Sequence, residues 1–179
     1  GAEADLATMG VLRRLGVTPV EVALPDELPI SALSIILEAE ASAAFDGLTR
    51  SRGVDRMVRQ ERNAWPNVFR HARFIPAVEY INANRIRTQL MQAMGELMSQ
   101  IDVLVTPSFG NAGLLITNLT GHPAVAIPNA LLPVDGFPDR RAPHSITFVA
   151  PLWGEHHALR LAHAVQEATE VHRQRPPVS

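Results

Sequence analysis

The chain has 179 residues, 46% of them apolar, and a formal net charge of −2. All of its 16 basic residues are arginine, and it contains neither lysine nor cysteine. A thiol nucleophile, a cysteine-ligated metal and a disulfide framework are therefore excluded, as are a Schiff base, a P-loop lysine and a lysine general base. The length fits a single domain, which at this size buries roughly 70% of its unfolded surface without cross-links.

The same counts disfavour membrane and nucleic-acid partners. No run approaches the roughly 18 consecutive apolar residues of a transmembrane helix. The first five residues, Gly-Ala-Glu-Ala-Asp, are acidic where a signal peptide is basic. A near-neutral balance also argues against a nucleic-acid surface built on bulk charge. We therefore expect a cytoplasmic protein without a membrane partner.

In the N-terminal half, helical patterns flank one short strand. Residues 2–16 predict an amphipathic helix that ends at Gly16 as a C-cap. Its predicted apolar stripe is Leu6, Met9, Leu12 and Leu15. Residues 17–24 alternate in the manner of a strand. A second helix is predicted over 31–49, and the arginine-rich stretch 50–74 is predicted to form short helices and loops on the surface.

The C-terminal half predicts a small sheet and two more helices, over 76–100 and 155–172. Short apolar runs predict buried strands over 101–106, 124–128 and 145–149. Segments rich in Gly and Pro predict loops over 108–123 and 133–143. The last helix is predicted to bury Leu159, Ala162, Val165 and Ala168 and to stop at Pro176-Pro177. Together these elements predict one α/β unit over residues 1–179, a few strands of a mixed sheet covered by helices.

Few side chains are placed to carry chemistry. No two of the histidines in the last helix stand four residues apart, so no helical zinc site is predicted, nor any other metal or cofactor site. There is no G-x-S-x-G elbow, no G-x-G-x-x-G and no P-loop. Loops that follow strands bind ligands in α/β sheets, which makes 106–118, around Ser108, the best pocket candidate. The alternative is that Pro107 and Gly110 only turn the chain.

Five motifs in order give the chain a family resemblance. Residues 102–108 read Asp-Val-Leu-Val-Thr-Pro-Ser, and 117–128 read Thr-Asn-Leu-Thr-Gly-His-Pro-Ala-Val-Ala-Ile-Pro. Glu-Ala-Ser at 40–42 and Phe-Asp-Gly at 45–47 lie upstream, and the ending at 148–177 carries a Gly-Glu turn, Ala-Thr, His172 and a Pro-Pro pair. The series resembles the C-terminal region of the amidase signature family, which includes the A-subunit of the glutamyl-tRNA(Gln) amidotransferase.

The resemblance implies the C-terminal part of an α/β/α mixed-sheet hydrolase. In that family a serine nucleophile, a second serine and a lysine base act upstream of the matched region. This chain has no Gly-Gly-Ser-Ser run and no lysine, so no catalytic residue is expected in it. The substrate-pocket residues implied are Ser108, Phe109, Asn111 and Asn118. Asn111 stands where amidotransferases carry an aspartate for the substrate amino group, which disfavours a glutamine-specific pocket because asparagine has no charge.

Three hypotheses about function remain open. In the first, the chain is the C-terminal portion of an amidase or of an amidotransferase A-subunit, inactive alone, which adds scaffold and part of an acyl pocket. Its partners would be the missing N-terminal catalytic part and a small amide substrate, with no cofactor. In the second, it is a stand-alone binding or homo-oligomerising protein that keeps the scaffold. In the third, the seven arginines between residues 50 and 73 contact RNA, although Asp55 and Glu61 interrupt them as on an ordinary exposed face.

Overall fold

The computed structural model of the chain describes residues 1–174, and the predicted helix stop at Pro176-Pro177 lies outside them. The helices are α1 (Ala2–Arg14), α2 (Ser34–Ala44), α3 (Asp46–Arg50), α4 (Trp65–His71), α5 (Ala77–Met98), α6 (Gly113–Thr120) and α7 (Glu155–Thr169). The strands are β1 (Leu104–Pro107), β2 (Ala124–Val134) and β3 (Phe137–Val149). Short 3-10 turns cover Ile30–Leu33, Gly53–Arg56, Ala72–Phe74 and Val171–Arg173.

The backbone contacts divide the chain into two compact units. One consists of Gly1–Leu24 together with the chain from Ala93 onward, and the other is Pro25–Gln92. The first unit holds the sheet and the predicted pocket loop, whereas the second is helical. The expectation of a single α/β unit over the whole chain stays a prediction.

The sheet of the first unit is antiparallel, with the order β1-β3-β2. The central position of β3 is clearest at Val149, which is paired with Leu104 on one side and with Ala124 on the other. Phe148 and Val149 have no exposed surface because strands flank them on both sides and helices cover the sheet. The α/β class is confirmed, but the sheet described in residues 1–174 is antiparallel rather than mixed.

The predicted loop over 133–143 is wrong, because β2 and β3 continue through it as a long hairpin. Val134 pairs with Phe137 across a two-residue turn, Asp135-Gly136. Asp-Gly is a strong hairpin signal, but the prolines of this stretch argue against strands. They are tolerated because here β2 and β3 pair only with each other, so each has one open edge in the described residues.

Helices α1 and α7 pack against the sheet and against each other to close the core of the first unit. The core comprises Val11, Leu12, Ile127, Ile146, Phe148, Ala150, Ala158, Ala162 and Val165. Four predicted core positions are wrong: Leu6 is 71% exposed, Leu159 is 55% exposed, and Leu15 and Ala168 are exposed as well. In α7 the small residues Ala158 and Ala162 face the sheet instead, which lets the helix approach it closely. Ala162 and Val165 are buried as predicted, whereas Ala158 takes the inward place expected of Leu159.

The second unit is built around an aromatic stack. The ring of Phe69 lies 4.8 Å from that of Phe45 and 5.5 Å from that of Trp65. The hydroxyl of Ser42 donates a 2.9 Å hydrogen bond to the Phe69 carbonyl, which fixes α2 against α4. Thus the stretch predicted to lie on the surface, 50–74, also supplies buried side chains.

Arginines of this stretch pair with acids, as expected of an exposed face. Asp46 pairs with Arg50 and Arg73, and Asp55 pairs with Arg52 and Arg70. The arginine contacts, mainly hydrogen bonds, hold the pKa of the Asp55 carboxyl below its ordinary value. An arginine paired in this way is less available to a phosphate, which weighs against the RNA hypothesis.

Residues 17–24 do not form a strand, contrary to expectation. The end of α1 is as predicted, with Gly16 in the left-handed region at φ +83°. Beyond it no backbone hydrogen bond joins residues 18–27 to any other described residue. A strand exists only through its neighbours, and none lies beside this segment. No helix of residues 1–174 is both long and apolar enough to cross a membrane.

Candidate functional site

The loop after β1 leads directly into α6, a helix that lies where the sequence predicts a loop. Within α6 and the turn behind it lie Asn118 and Gly121 of the Asn-Leu-Thr-Gly motif. Gly121 is predicted to permit close packing beside a strand, but an added Cβ there would meet only Leu152, at 4.0 Å. The residue instead ends α6 with a left-handed φ of +80°, a conformation that glycine adopts without strain.

Asn111 ties this loop to the end of β1. Its Oδ1 accepts a 2.9 Å hydrogen bond from the backbone N–H of Gly113, and its Nδ2 donates a 2.8 Å bond to the Thr106 hydroxyl. The first contact satisfies a free N–H at the start of α6. Both ends of the Asn111 amide are therefore engaged by the fold.

Ser108 is held in the sheet rather than presented as a nucleophile. Its side chain is buried, and its hydroxyl lies 2.7 Å from that of Thr147 on β3. Its backbone N–H donates a 3.4 Å bond to the Ser145 carbonyl. A serine becomes nucleophilic when a base accepts its proton. The neighbour of this hydroxyl is another hydroxyl, which is no such base.

The other two predicted pocket residues lie on the surface. Phe109 is 77% exposed in the loop between β1 and α6. Asn118 is exposed on α6, where its Nδ2 donates a 2.7 Å bond to the Leu114 carbonyl one turn earlier. The four predicted residues thus occupy one loop and one helix, and their common role in a substrate pocket stays a prediction.

A cleft of about 950 Å³ lies in the first unit, and Asn111 is the one predicted pocket residue that lines it. The cleft is lined by residues 15–22 and 100–106, by Met9 and Leu12 of α1, and by His157, Arg160, Leu161 and Ala164 of α7. Asp102, Glu21 and Arg160 are its charged side chains, and most of the others are apolar. No group of three or more His, Asp or Glu side chains able to hold a metal ion occurs among the described residues.

Sequence reasoning missed one buried polar pair, Thr120 and His122. Both side chains are buried, and the Thr120 hydroxyl lies 2.8 Å from Nδ1 of His122. The same hydroxyl donates to the Ile116 carbonyl, so it accepts a hydrogen bond from Nδ1–H, and the neutral ring carries its proton on Nδ1. Burial lowers the pKa of His122. A histidine in a Gly-His-Pro segment just before a buried strand was the available signal.

Removing the Asn111 side chain should loosen the link between β1 and α6. We predict that Asn111→Ala lowers the free energy of unfolding by about 1–2 kcal/mol, because a helix-start acceptor and the partner of Thr106 are both lost. Urea titration measures it. Asn118→Ala is the matched control, with an expected change within about 0.5 kcal/mol because its bond lies on an exposed helix. Equal losses in the two variants would contradict a specific role for Asn111.

The lowered pKa of His122 predicts that acid destabilises the fold. Below the ordinary histidine pKa of 6.5, the unfolded chain binds a proton that the folded chain resists, so stability falls as the pH decreases through that value. Between about pH 7.5 and pH 5.5, the parent should lose more stability than His122→Gln, measured by urea unfolding at each pH. His163→Gln, at an exposed position of α7, should behave like the parent. An identical loss in all three proteins would disprove the assignment.

Comparisons with known proteins show which proteins the chain resembles in sequence. No protein-family model matches the chain. It is 26% identical over 212 aligned residues to the A-subunit of glutamyl-tRNA(Gln) amidotransferase from Geobacillus stearothermophilus, covering 96% of the chain and 42% of that protein. The corresponding protein of Deinococcus radiodurans is 27% identical, with 98% and 44% covered. The chain thus spans less than half the length of these curated relatives.

Solved structures show the same fold. A bacterial aryl acylamidase of the amidase signature family aligns with a TM-score of 0.71 at 16% identity, covering 93% of this chain and 40% of that one. The peptide amidase from Stenotrophomonas maltophilia aligns with a TM-score of 0.71 at 19% identity, covering 99% and 41%. The resemblance predicted from the motifs is confirmed. Over nearly all of its length, the chain has the fold of part of the amidase signature enzymes and resembles in sequence the C-terminal part of their amidotransferase and amidase members.

Proposed function

We propose that the chain is the C-terminal portion of an amide hydrolase, or of an amidotransferase A-subunit, of the amidase signature type. It would supply scaffold and part of the acyl-substrate pocket, while the missing N-terminal portion would supply the two serines and the lysine. The observation that carries the proposal is the coverage: 96% of this chain matches only 42% of a curated relative. The whole enzyme would act on a small amide without a cofactor.

The chemistry of the chain supports this division of labour. Amide hydrolysis requires a nucleophile and a base that accepts its proton. The sequence has no lysine. Among the described residues, the hydrogen-bonded serine hydroxyls contact backbone carbonyls or the Thr147 hydroxyl, not a histidine or a carboxylate. None of these serines is thereby equipped for acyl transfer.

The predicted pocket residues divide into two roles under this proposal. Asn111 lines the cleft, but its amide is already engaged with Thr106 and Gly113, so it would shape the pocket wall. Ser108 would hold the loop to β3 in the same way. Phe109, which is exposed, would contact substrate or the rest of the enzyme, and so would Asn118, although its Nδ2 already donates to the Leu114 carbonyl. The neutral Asn111 favours an amide without a free amino group over glutamine.

The purified chain is expected to hydrolyse no amide above the buffer rate. Release of an aryl amine from an anilide and of ammonia from short aliphatic amides would measure this, with an intact amidase as the positive control. Hydrolysis by the chain that disappears in Ser108→Ala would contradict the proposal. Hydrolysis that Ser108→Ala leaves unchanged would point to a contaminating amidase, and both proteins would then be purified further. If both fall to the buffer rate, the proposal stands; if only the parent stays active, the proposal is contradicted.

The second candidate function is that of a stand-alone protein that forms homo-oligomers. Exposed apolar side chains favour this candidate. In the second unit Phe74 is 85% exposed, and Val78 and Ile81 of α5 are each more than half exposed. Monomeric proteins rarely expose contiguous apolar patches without a binding role.

Multi-angle light scattering over a dilution series separates the two candidates. The stand-alone function predicts a defined oligomer that dissociates in Ile81→Glu, because a buried charge is costly. Leu6→Glu, at an exposed position in the first unit, is the matched control and should leave the mass unchanged. A monomer at every concentration would contradict the oligomerisation function. A defined oligomer that dissociates in Ile81→Glu but not in Leu6→Glu would support that function over the first proposal.

A further inference from the structure

Two stretches of backbone in the first unit lack hydrogen-bond partners. Strand β1 pairs with β3 on one side, and no described strand lies on its other side. Residues 18–27 form no backbone hydrogen bond with any described residue. Backbone N–H and C=O groups that are removed from water are nearly always paired, so a free strand edge invites another strand.

The same cleft adjoins both stretches. Its volume is about 950 Å³, and its lining includes residues 15–22 from one part of the sequence and residues 100–106 from the other. Five apolar residues pack on the core yet also line the cleft and remain only partly buried: Met9, Val17, Val103, Val105 and Leu161. Protein interiors are close-packed, so half-buried valines around such a space indicate that polypeptide is missing from it.

The sequence of β1 favours the same conclusion. Ile-Asp-Val-Leu-Val-Thr at 101–106 is a nearly continuous apolar run, which is typical of a strand with neighbours on both sides in a covered sheet. Residues 17–24 show partial alternation, with Val17, Pro19, Val22 and Leu24 half-buried and the residues between them exposed. The composition of β1 is therefore that of an interior strand although it has a neighbour on one side alone, and the alternation of residues 17–24 is that of a strand at the border of a sheet.

Building on the proposed function, we infer that a β-strand from the polypeptide that precedes Gly1 in the full enzyme occupies this cleft. It would pair with β1 along one edge and with residues 17–24 along the other. Helix α1 leads directly into residues 17–24, so the incoming strand, α1 and this segment would form a β-α-β unit. Such units place their strands parallel with a right-handed crossover. The strand would end about 2–6 residues before α1, the usual length of such a connection.

The length of the curated relatives favours a strand of the same polypeptide over a small ligand or a second copy as the occupant of the cleft. More than half of each curated relative lies outside the match, so a full enzyme has ample chain to supply a strand. A small ligand would fill the volume but would leave the unpaired backbone of residues 18–24 unsatisfied. A second copy of this chain could offer an open strand edge too, that of β2 among the described residues, so the exchange experiment includes an arm that detects it.

Amide hydrogen exchange on a natural N-terminal extension tests the inference. About 20 residues encoded directly upstream would be restored to the chain, enough for the connection and one strand. The N–H of Val105 faces away from β3, because the hydrogen-bonded pairs of β1 and β3 alternate from Ser108 and Ser145 backward. Exchange at Val105 and at alternate non-proline residues of 18–24 should slow by about 100-fold or more relative to the 179-residue chain. A version with two prolines within the restored segment is the matched control, and it should exchange as fast as the unextended chain because proline cannot donate to a ladder.

Each other outcome overturns the inference. These outcomes are unchanged exchange in the extended chain, a proline version that is equally protected, or a gene without an in-frame upstream segment. Protection that develops in the 179-residue chain as its concentration rises would instead identify a second copy in the cleft. The proposed function is judged separately by amide hydrolysis, so the failure of either can be recognised without the other.

Discussion

The unpaired backbone on either side of the cleft is the feature that most constrains this molecule. Segment 18–27 has no backbone partner among the described residues, and β1 has only β3. An open strand edge lined by half-buried valines is a template on which another strand can pair. The described sheet is therefore closed around β3 and open beside β1.

The core formed by β3 with α1 and α7 explains why the first unit has a defined fold. Phe148 lies between two strands and packs with residues of α1 and α7, which gives the first unit its own buried core. The pocket loop is anchored to this core through Asn111 and Ser108. The residues that resemble a substrate pocket thus stand on a buried support, and under our proposal the groups for acyl transfer come from the N-terminal portion of the enzyme.

Sequence reasoning identified most helices and the family resemblance, because long apolar stripes and ordered motifs are local signals. It missed α6 because Gly113 and neighbouring small residues resemble a loop, although Asn111 supplies the helix-start acceptor. It misread 133–143 because prolines normally exclude strands, whereas here each strand has an open edge. It placed Leu159 in the core, although Ala158 is the residue that is buried there. Such choices depend on tertiary neighbours that a single segment does not encode.

The most direct measurement is an experimental structure of the longest natural polypeptide that contains these residues. We predict a strand from before Gly1 lying between β1 and residues 17–24, parallel to the latter and joined to it through α1. A structure in which residues 17–24 pair directly with β1, or in which the cleft stays open to solvent, would contradict this prediction.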